Sequence, residues 1–412
     1  MRLLSRFVLV IVLALPLAST LASTALAAPP PAPVVTANPD PAHPILSAAF
    51  QAETDARSAS RLTGGNRLTL LENGVRSTPV KRALAATARS TLFVTTMNWR
   101  HDASGRGFAD DLIAARRRGV DVRAIVDAAF ASPLIVARLR AGGVRVVRFN
   151  GVFTPGADRK GRLHWKMVIA DLDRGVLGGM NIGDDFWQGD GANGYFHDAD
   201  ALLEGAAAVE AARAFLDLWR DLQPRDLTAV ALLADPRFAA PAVQAGAPGA
   251  ARVITHEPDL GRFRLTDYYV RCIRAARTQV LWHVNVFEPV EPLYGELIAA
   301  AARGVRVVIV LNSGEAFRPR FPLPYVPYFK LEALFARLAF MGTGVEVYEL
   351  DQPIHSKAFT VDGVLASVGS YNFNRTSVRL NLECSAIGYE AAFVRSVEEM
   401  FDRDMARARR VL

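Results

Sequence analysis

Residues 163–181 read LHWKMVIADLDRGVLGGMN, and residues 354–372 repeat the pattern as IHSKAFTVDGVLASVGSYN. In the first stretch His164 is followed by Lys166, Asp171, Gly178, Gly179 and Asn181; in the second, His355 is followed by Lys357, Asp362, Gly369, Ser370 and Asn372. The offsets from each histidine are the same: 2, 7, 14, 15 and 17. Six matched positions in each of two stretches exceed what general strand chemistry produces, so the rest of the chain is read as scaffolding for this pair.

The flanks are duplicated as well. DLIAARRRGVDVRAIV (111–126) stands beside ELIAAAARGVRVVIVL (296–311), each an amphipathic helix stopped at Gly119 or Gly304 before a β-branched strand. In the first half strands are expected at 66–72, 91–97, 120–127 and 144–149, with helices at 80–89, 108–118 and 134–141. The second half repeats the order, with strands at 252–256, 279–287 and 305–311 and helices at 267–276 and 294–302. The expected fold is α/β: two homologous α/β/α sandwich domains related by a pseudo-twofold axis, with the active site at their interface. Their boundaries are placed at 66–225 and 251–412, joined by an Ala- and Pro-rich linker over 226–250.

With 412 residues, 51% of them apolar, the chain can bury a large core. The formal charge of +7 falls to +5 without residues 1–27, whose only charges are Arg2 and Arg6. That is mildly basic, compatible with phosphate-bearing partners. Cys272 and Cys384 lack metal spacing and read as buried free thiols. Residues 1–27 combine a basic start, an apolar run and the small-residue end Ala25-Leu26-Ala27, the pattern of an export signal cleaved before Ala28. An uncleaved amino-terminal anchor is the alternative. An exported protein, periplasmic or secreted and in contact with a membrane surface, is expected. Residues 28–44 hold seven prolines and read as an extended linker, followed by a short helix before residue 66.

On a strand, His and Lys two residues apart project from one face, and the small pair before Asn follows a turn. Facing copies would set two imidazoles across one phosphorus, with two ammoniums and two amides for its non-bridging oxygens. Such a pair suits double displacement. One histidine attacks; the other protonates the leaving alcohol and then deprotonates the incoming one. No metal and no cofactor is required. His164 is taken as the nucleophile. Each histidine also needs a carboxylate behind its second ring nitrogen. Glu383, on a strand expected at 382–387, is one candidate; Asp198, with Asp200 as the reserve, is the other.

The paired HxKxxxxD motifs with GGxN and GSxN resemble the phospholipase D superfamily. The flanks are more narrowly similar to bacterial cardiolipin synthases: NWRHDASGRGFADDLIAARRRGV (98–120), GGMNIGDDFW (178–187), FHDADALLEG (196–205) and SYNFNRTSVRLNLE (370–383). This resemblance implies a phosphohistidine intermediate and transfer of a phosphatidyl group to an alcohol or to water. The catalytic set is then His164, His355, Lys166, Lys357, Asn181, Asn372, Asp171, Asp362, Asp198, Asp200 and Glu383, with Gly179 and Ser370 binding substrate. Asp171 and Asp362 also read as holding the motif backbone or its lysine.

The remaining histidines, His43, His101, His197, His256 and His283, have no copy in the opposite half and read as surface or packed residues, as Trp165 and Phe359 read as sheet packing. The segment 317–330, FRPRFPLPYVPYFK, has no counterpart in the first half. Its prolines argue for a loop, which could lie over the site and meet a lipid headgroup layer. A phospholipid transferase or hydrolase is the leading function. An exported nuclease using the same histidines on nucleic acid is the alternative, though the chain lacks the basic, aromatic track that follows a nucleic-acid strand. A lipid-binding scaffold with a decayed site is disfavoured by two intact motifs.

Overall fold

The repeated order of elements folds into two mixed sheets that follow one plan. A computed structural model of the chain describes residues 36, 40–151, 161–190, 195–239, 242–316 and 325–412, with side chains of 325–329 excepted. The first sheet contains β1 (Arg67–Glu72), β2 (Thr91–Thr96), β3 (Asp121–Asp127), β4 (Arg145–Phe149), β5 (Met167–Ala170), β6 (Arg174–Gly178) and β7 (Ala199–Glu204). The second contains β8 (Ala251–His256), β9 (Gln279–Val284), β10 (Arg306–Asn312), β11 (Glu346–Leu350), β12 (Ala358–Val361), β13 (Leu365–Gly369), β14 (Glu383–Gly388) and β15 (Arg409–Arg410).

The strand order is β1-β7-β6-β5-β2-β3-β4 in the first sheet and β8-β14-β13-β12-β9-β10-β11-β15 in the second, so β15 is the only addition. In each sheet three consecutive strands are parallel, β2-β3-β4 and β9-β10-β11, and the motif hairpin, β5-β6 or β12-β13, joins them antiparallel. The parallel strands are covered by helices, which is why β3 and β10 are buried on both faces along almost their whole length. The helix Ala103–Arg117 runs into Gly119 at φ 95°, and the chain after Leu293–Ala302 turns at Gly304 at φ 87°. A side chain there would occupy the left-handed region, hence glycine in both copies.

Residues Pro33–Leu412 form one unit. A shared core runs from Phe93 and Ile125 of the first sheet to Leu281 and Val308 of the second, filled by the helices Ala206–Leu222 and Ala391–Arg407. Within it Phe93 and Phe215 stack at 4.6 Å. The expected linker 226–250 carries the helix Leu227–Leu233 and the 3-10 turn Pro236–Ala239. Described residues of the proline-rich approach are likewise docked. The Thr36 N–H donates to Glu398 at 2.9 Å, and the buried His43 meets Asp362 at 2.8 Å. The leader, 1–27, lies outside the described residues.

The segment 317–330 departs from expectation. Residues 317–324 lie outside the described residues, but Tyr325 opens a helix, Tyr325–Phe340, connecting β10 to β11. It occupies the place that Pro133–Ala141 fills between β3 and β4, so the segment does have a counterpart. Pro327 is tolerated because a first-turn residue has no intrahelical acceptor for the N–H that proline lacks. Cys272 and Cys384 are free and buried. Among the described residues, no helix is long and apolar enough to cross a membrane.

Candidate active site

Each histidine stands in an extended segment just before its hairpin, one step outside the strand expected to carry it. Leu163 bridges Leu382 and Ile354 bridges His197, so each motif enters the site paired with the segment that leads to the other half's carboxylate. The His164 N–H donates to the Leu382 carbonyl at 2.9 Å, and the His355 N–H donates to the His197 carbonyl at 2.7 Å. The residue after each acceptor is an acid: Glu383 and Asp198.

The pairing is crossed. His164 Nδ1 meets Glu383 Oε2 at 2.7 Å, and His355 Nδ1 meets Asp198 Oδ2 at 2.6 Å. All four side chains are nearly or fully buried. With each carboxylate accepting at Nδ1, the neutral tautomer carries its proton there and offers the Nε2 lone pair. No residue hydrogen-bonds either Nε2 among those described. Burial, opposed by Glu383, holds the His164 imidazole below its ordinary pKa. Burial and the Lys357 ammonium push His355 down to about 3. Burial works against ionising Glu383 and Asp198, but the facing imidazoles and lysines override it and hold both carboxyls below their usual range.

Lys166 Nζ donates to the His164 carbonyl at 2.7 Å, and Lys357 Nζ donates to the His355 carbonyl. Burial lowers Lys166 to about 8 and Lys357 to about 7, against the pull of Glu383, Asp198 and Asp200 on both. The Asn181 side-chain oxygen accepts the Asn98 N–H at 3.1 Å, which leaves its NH2 end for donation. Asn372 is placed by its own N–H, which donates to Ser377 Oγ at 3.2 Å.

Five expected site residues do structural work. Asp200 faces no histidine; it pairs with the buried Lys81 at 2.7 Å and accepts from Ser77 at 2.6 Å, because its position on β7 turns it toward the helix Asn73–Thr87. Asp171 and Asp362 lie at the far end of their hairpin strands and cap backbone. Asp171 accepts from the N–H groups of Arg89, Ser90 and Thr91, and Asp362 from those of Arg277, Thr278 and Gln279, so each ties the turn before a central strand to its motif hairpin. Gly179 is needed for close approach to the carboxylate: a Cβ there would fall 2.1 Å from Asp198 Oδ1. Ser370 donates to Glu383 Oε2 and so orients the acid behind His164.

Three contributors were not singled out from sequence. Ser377 Oγ donates to the other Glu383 oxygen at 2.6 Å. Phe186 and Phe196 flank the His355 ring at 5.0 and 5.2 Å, excluding water from one side of it. His197, whose carbonyl receives the N–H groups of His355 and Ser356, is fixed by its ring to Asp404 at 2.8 Å and Asn73 at 2.9 Å, while His283 approaches Asp404 at 3.2 Å. Burial opposes a charge on His197, but Asp404 outweighs it and raises its pKa; burial lowers that of His283. These three buried side chains come from both halves, so no within-half comparison reveals them. His197 standing directly before Asp198 was the one visible signal.

Residues 81–219 and 269–405, one span around each motif, both match the family described as cardiolipin synthase, PLD-like domain. The chain belongs to this family. A protein named probable cardiolipin synthase YwiE, from Bacillus subtilis strain 168, is 27% identical over 84% of this chain and 67% of its own length. The cardiolipin synthase of Geobacillus kaustophilus is 28% identical over 75% and 60% respectively, so the chain spans about two thirds or less of these relatives. Among solved structures, phosphatidylserine synthase of Haemophilus influenzae superposes with a TM-score of 0.67 over 88% of this chain and 92% of that one, at 13% identity. Polyphosphate kinase from Porphyromonas gingivalis gives 0.53 over 84% and 48%, at 14% identity. These likenesses support the phospholipase D-like fold of two mixed α/β sheets.

Proposed function

We propose that this cardiolipin synthase-family protein transfers a phosphatidyl group between alcohols through a phosphohistidine. The carrying observation is the crossed pair of histidines, each held at Nδ1 by the other half's carboxylate and accompanied by a buried lysine. His164 Nε2 attacks the phosphorus of a phospholipid. The bond to the headgroup oxygen breaks, and His355, whose cation the negative charge of the bound phosphate favours, gives that oxygen its proton. His355, now neutral, takes the proton from a second alcohol, whose oxygen attacks phosphorus and breaks the P–N bond. Lys166, Lys357 and the two asparagine amides meet the charge on the non-bridging oxygens. Glu383 stabilises the charge on phosphorylated His164, and Asp198 that on protonated His355.

The names of the relatives support phosphatidylglycerol as both donor and acceptor, which would release glycerol. Water as acceptor would instead yield phosphatidic acid. An export signal over 1–27 places the reaction outside the cytoplasm in this reading, a placement that amino-terminal sequencing of the mature protein tests. The function is tested with purified protein and labelled phosphatidylglycerol. Cardiolipin plus glycerol is expected, abolished in His164→Ala and His355→Ala and insensitive to EDTA. Inert lipid with cleaved DNA would overturn the lipid reading.

A further inference from the structure

The helix Tyr325–Phe340 has two unlike faces. Ala333, Ala336 and Phe340 are buried against the second sheet. Leu331, Leu334, Phe335, Leu338 and Met341, spaced at three and four residues, are 44%, 46%, 48%, 56% and 62% exposed. Five large apolar residues on one stripe cost solvation free energy unless something covers them. The only charged residues in 331–341 are Glu332, which is buried, and Arg337, which pairs with Glu349 away from the stripe.

Beside the stripe lies a groove of about 740 Å³, walled by Phe335 and Leu338 on one side and by Phe287, Pro289 and Val290 on the other. Its rim is Arg375, three residues beyond Asn372. The 287–290 wall is tied to the loop after Asn372, where the Glu288 N–H donates to the Phe373 carbonyl at 2.9 Å and the Arg375 N–H to Glu288 Oε2 at 2.7 Å. The groove therefore runs into the loop that carries a motif asparagine. Arg375 and Arg379 share one face of the helix Arg375–Arg379 and are exposed, and their guanidiniums have no carboxylate partner among the described residues.

We propose that this face seats the protein on the surface of an anionic phospholipid bilayer, with the stripe at the hydrocarbon boundary and Arg375 and Arg379 among the headgroup phosphates. The inference rests on the lipid reading above and adds where and how the protein meets its substrate's aggregate. An apolar stripe edged by unpaired cations is the chemistry that anionic lipid covers. The position next to the Asn372 loop would bring headgroups to the site without extracting a lipid into water.

The test is flotation with vesicles of phosphatidylglycerol and phosphatidylethanolamine, using wild type, Leu334→Glu/Leu338→Glu, Arg375→Gln/Arg379→Gln and His164→Ala. Both double variants should lose vesicle partitioning at least tenfold with unchanged melting temperature, and the arginine variant's residual binding should not respond to added salt. His164→Ala should float like wild type. Unchanged partitioning in the leucine variant would overturn the inference, as would a loss of dimer on gel filtration with vesicle binding intact. If wild type floats through this face yet turns over no lipid, the docking surface stands and the proposed reaction falls.

Discussion

Replacing Glu383 by Gln keeps the shape of the side chain and removes its charge, which isolates what the crossed carboxylate does. Three donors converge on Glu383: His164 Nδ1 at 2.7 Å, Ser370 Oγ, and Ser377 Oγ at 2.6 Å. Gln offers one acceptor oxygen and an NH2 group, so at least one donor faces another donor, a cost of about 1–3 kcal/mol in a buried site. The larger effect is on the imidazole. An NH2 opposite Nδ1 favours the tautomer with its proton on Nε2, which removes the attacking lone pair, and a neutral amide no longer stabilises the cation on phosphorylated His164. By analogy with loss of the acid in a Ser-His-Asp site, kcat should fall by on the order of 10³–10⁴. Lys166 also loses its strongest attraction, so its pKa should drop further below about 8. Rapid-quench labelling with phosphatidylglycerol should show no phosphohistidine in Glu383→Gln, whereas Asp198→Asn should still form the intermediate, with both its formation and its breakdown slowed because His355 then serves poorly as acid and base. A Glu383→Gln enzyme within threefold of wild type, or an intermediate lost in Asp198→Asn alone, would refute the crossed assignment and the choice of His164 as nucleophile.

With Lys357 near 7 and Lys166 near 8, kcat/KM should decline as pH rises through that interval and the ammoniums are lost, which a pH–rate profile on vesicles checks. Asp200→Asn leaves Lys81 buried without its carboxylate and should cost about 3–5 kcal/mol in denaturant unfolding, with activity per folded molecule changed only a few-fold. Asp362, held near 2 by His43 and backbone N–H groups against the cost of burial, has a depressed folded pKa. Its contribution, roughly 2 kcal/mol, is present above the ordinary carboxylate range and should be lost as pH falls toward 2, an acid limb that Asp362→Asn flattens.

The motifs and the duplicated plan were legible because a fixed spacing survives translation into structure: the same offsets give the same hairpin and the same strand order in both sheets. Glu383 and Asp198 could be picked out as acids on strands, but not matched to their histidines. The match depends on which segments meet across the interface, and His164 lies 219 residues from its acid. Asp200 differs from Asp198 by one alternation of a strand, and only packing against Lys81 tells the two apart. The aspartates of the motifs were misleading for another reason. A residue at an invariant offset from a catalytic group can hold the backbone at the other end of the strand, as Asp171 and Asp362 do. The helix at Tyr325 was hidden by a proline-rich sequence, although Pro327, in its first turn, breaks nothing.

The crossed acids also set a timetable. A chain is made from its amino terminus, so His164 and Lys166 exist long before Glu383 is joined to the polypeptide. Until Glu383 is joined and the second sheet closes against the first, the first histidine has no acid to fix its tautomer. A half-made molecule is therefore chemically mute, and a truncated one stays so. The crossed site is assembled only when both halves are present.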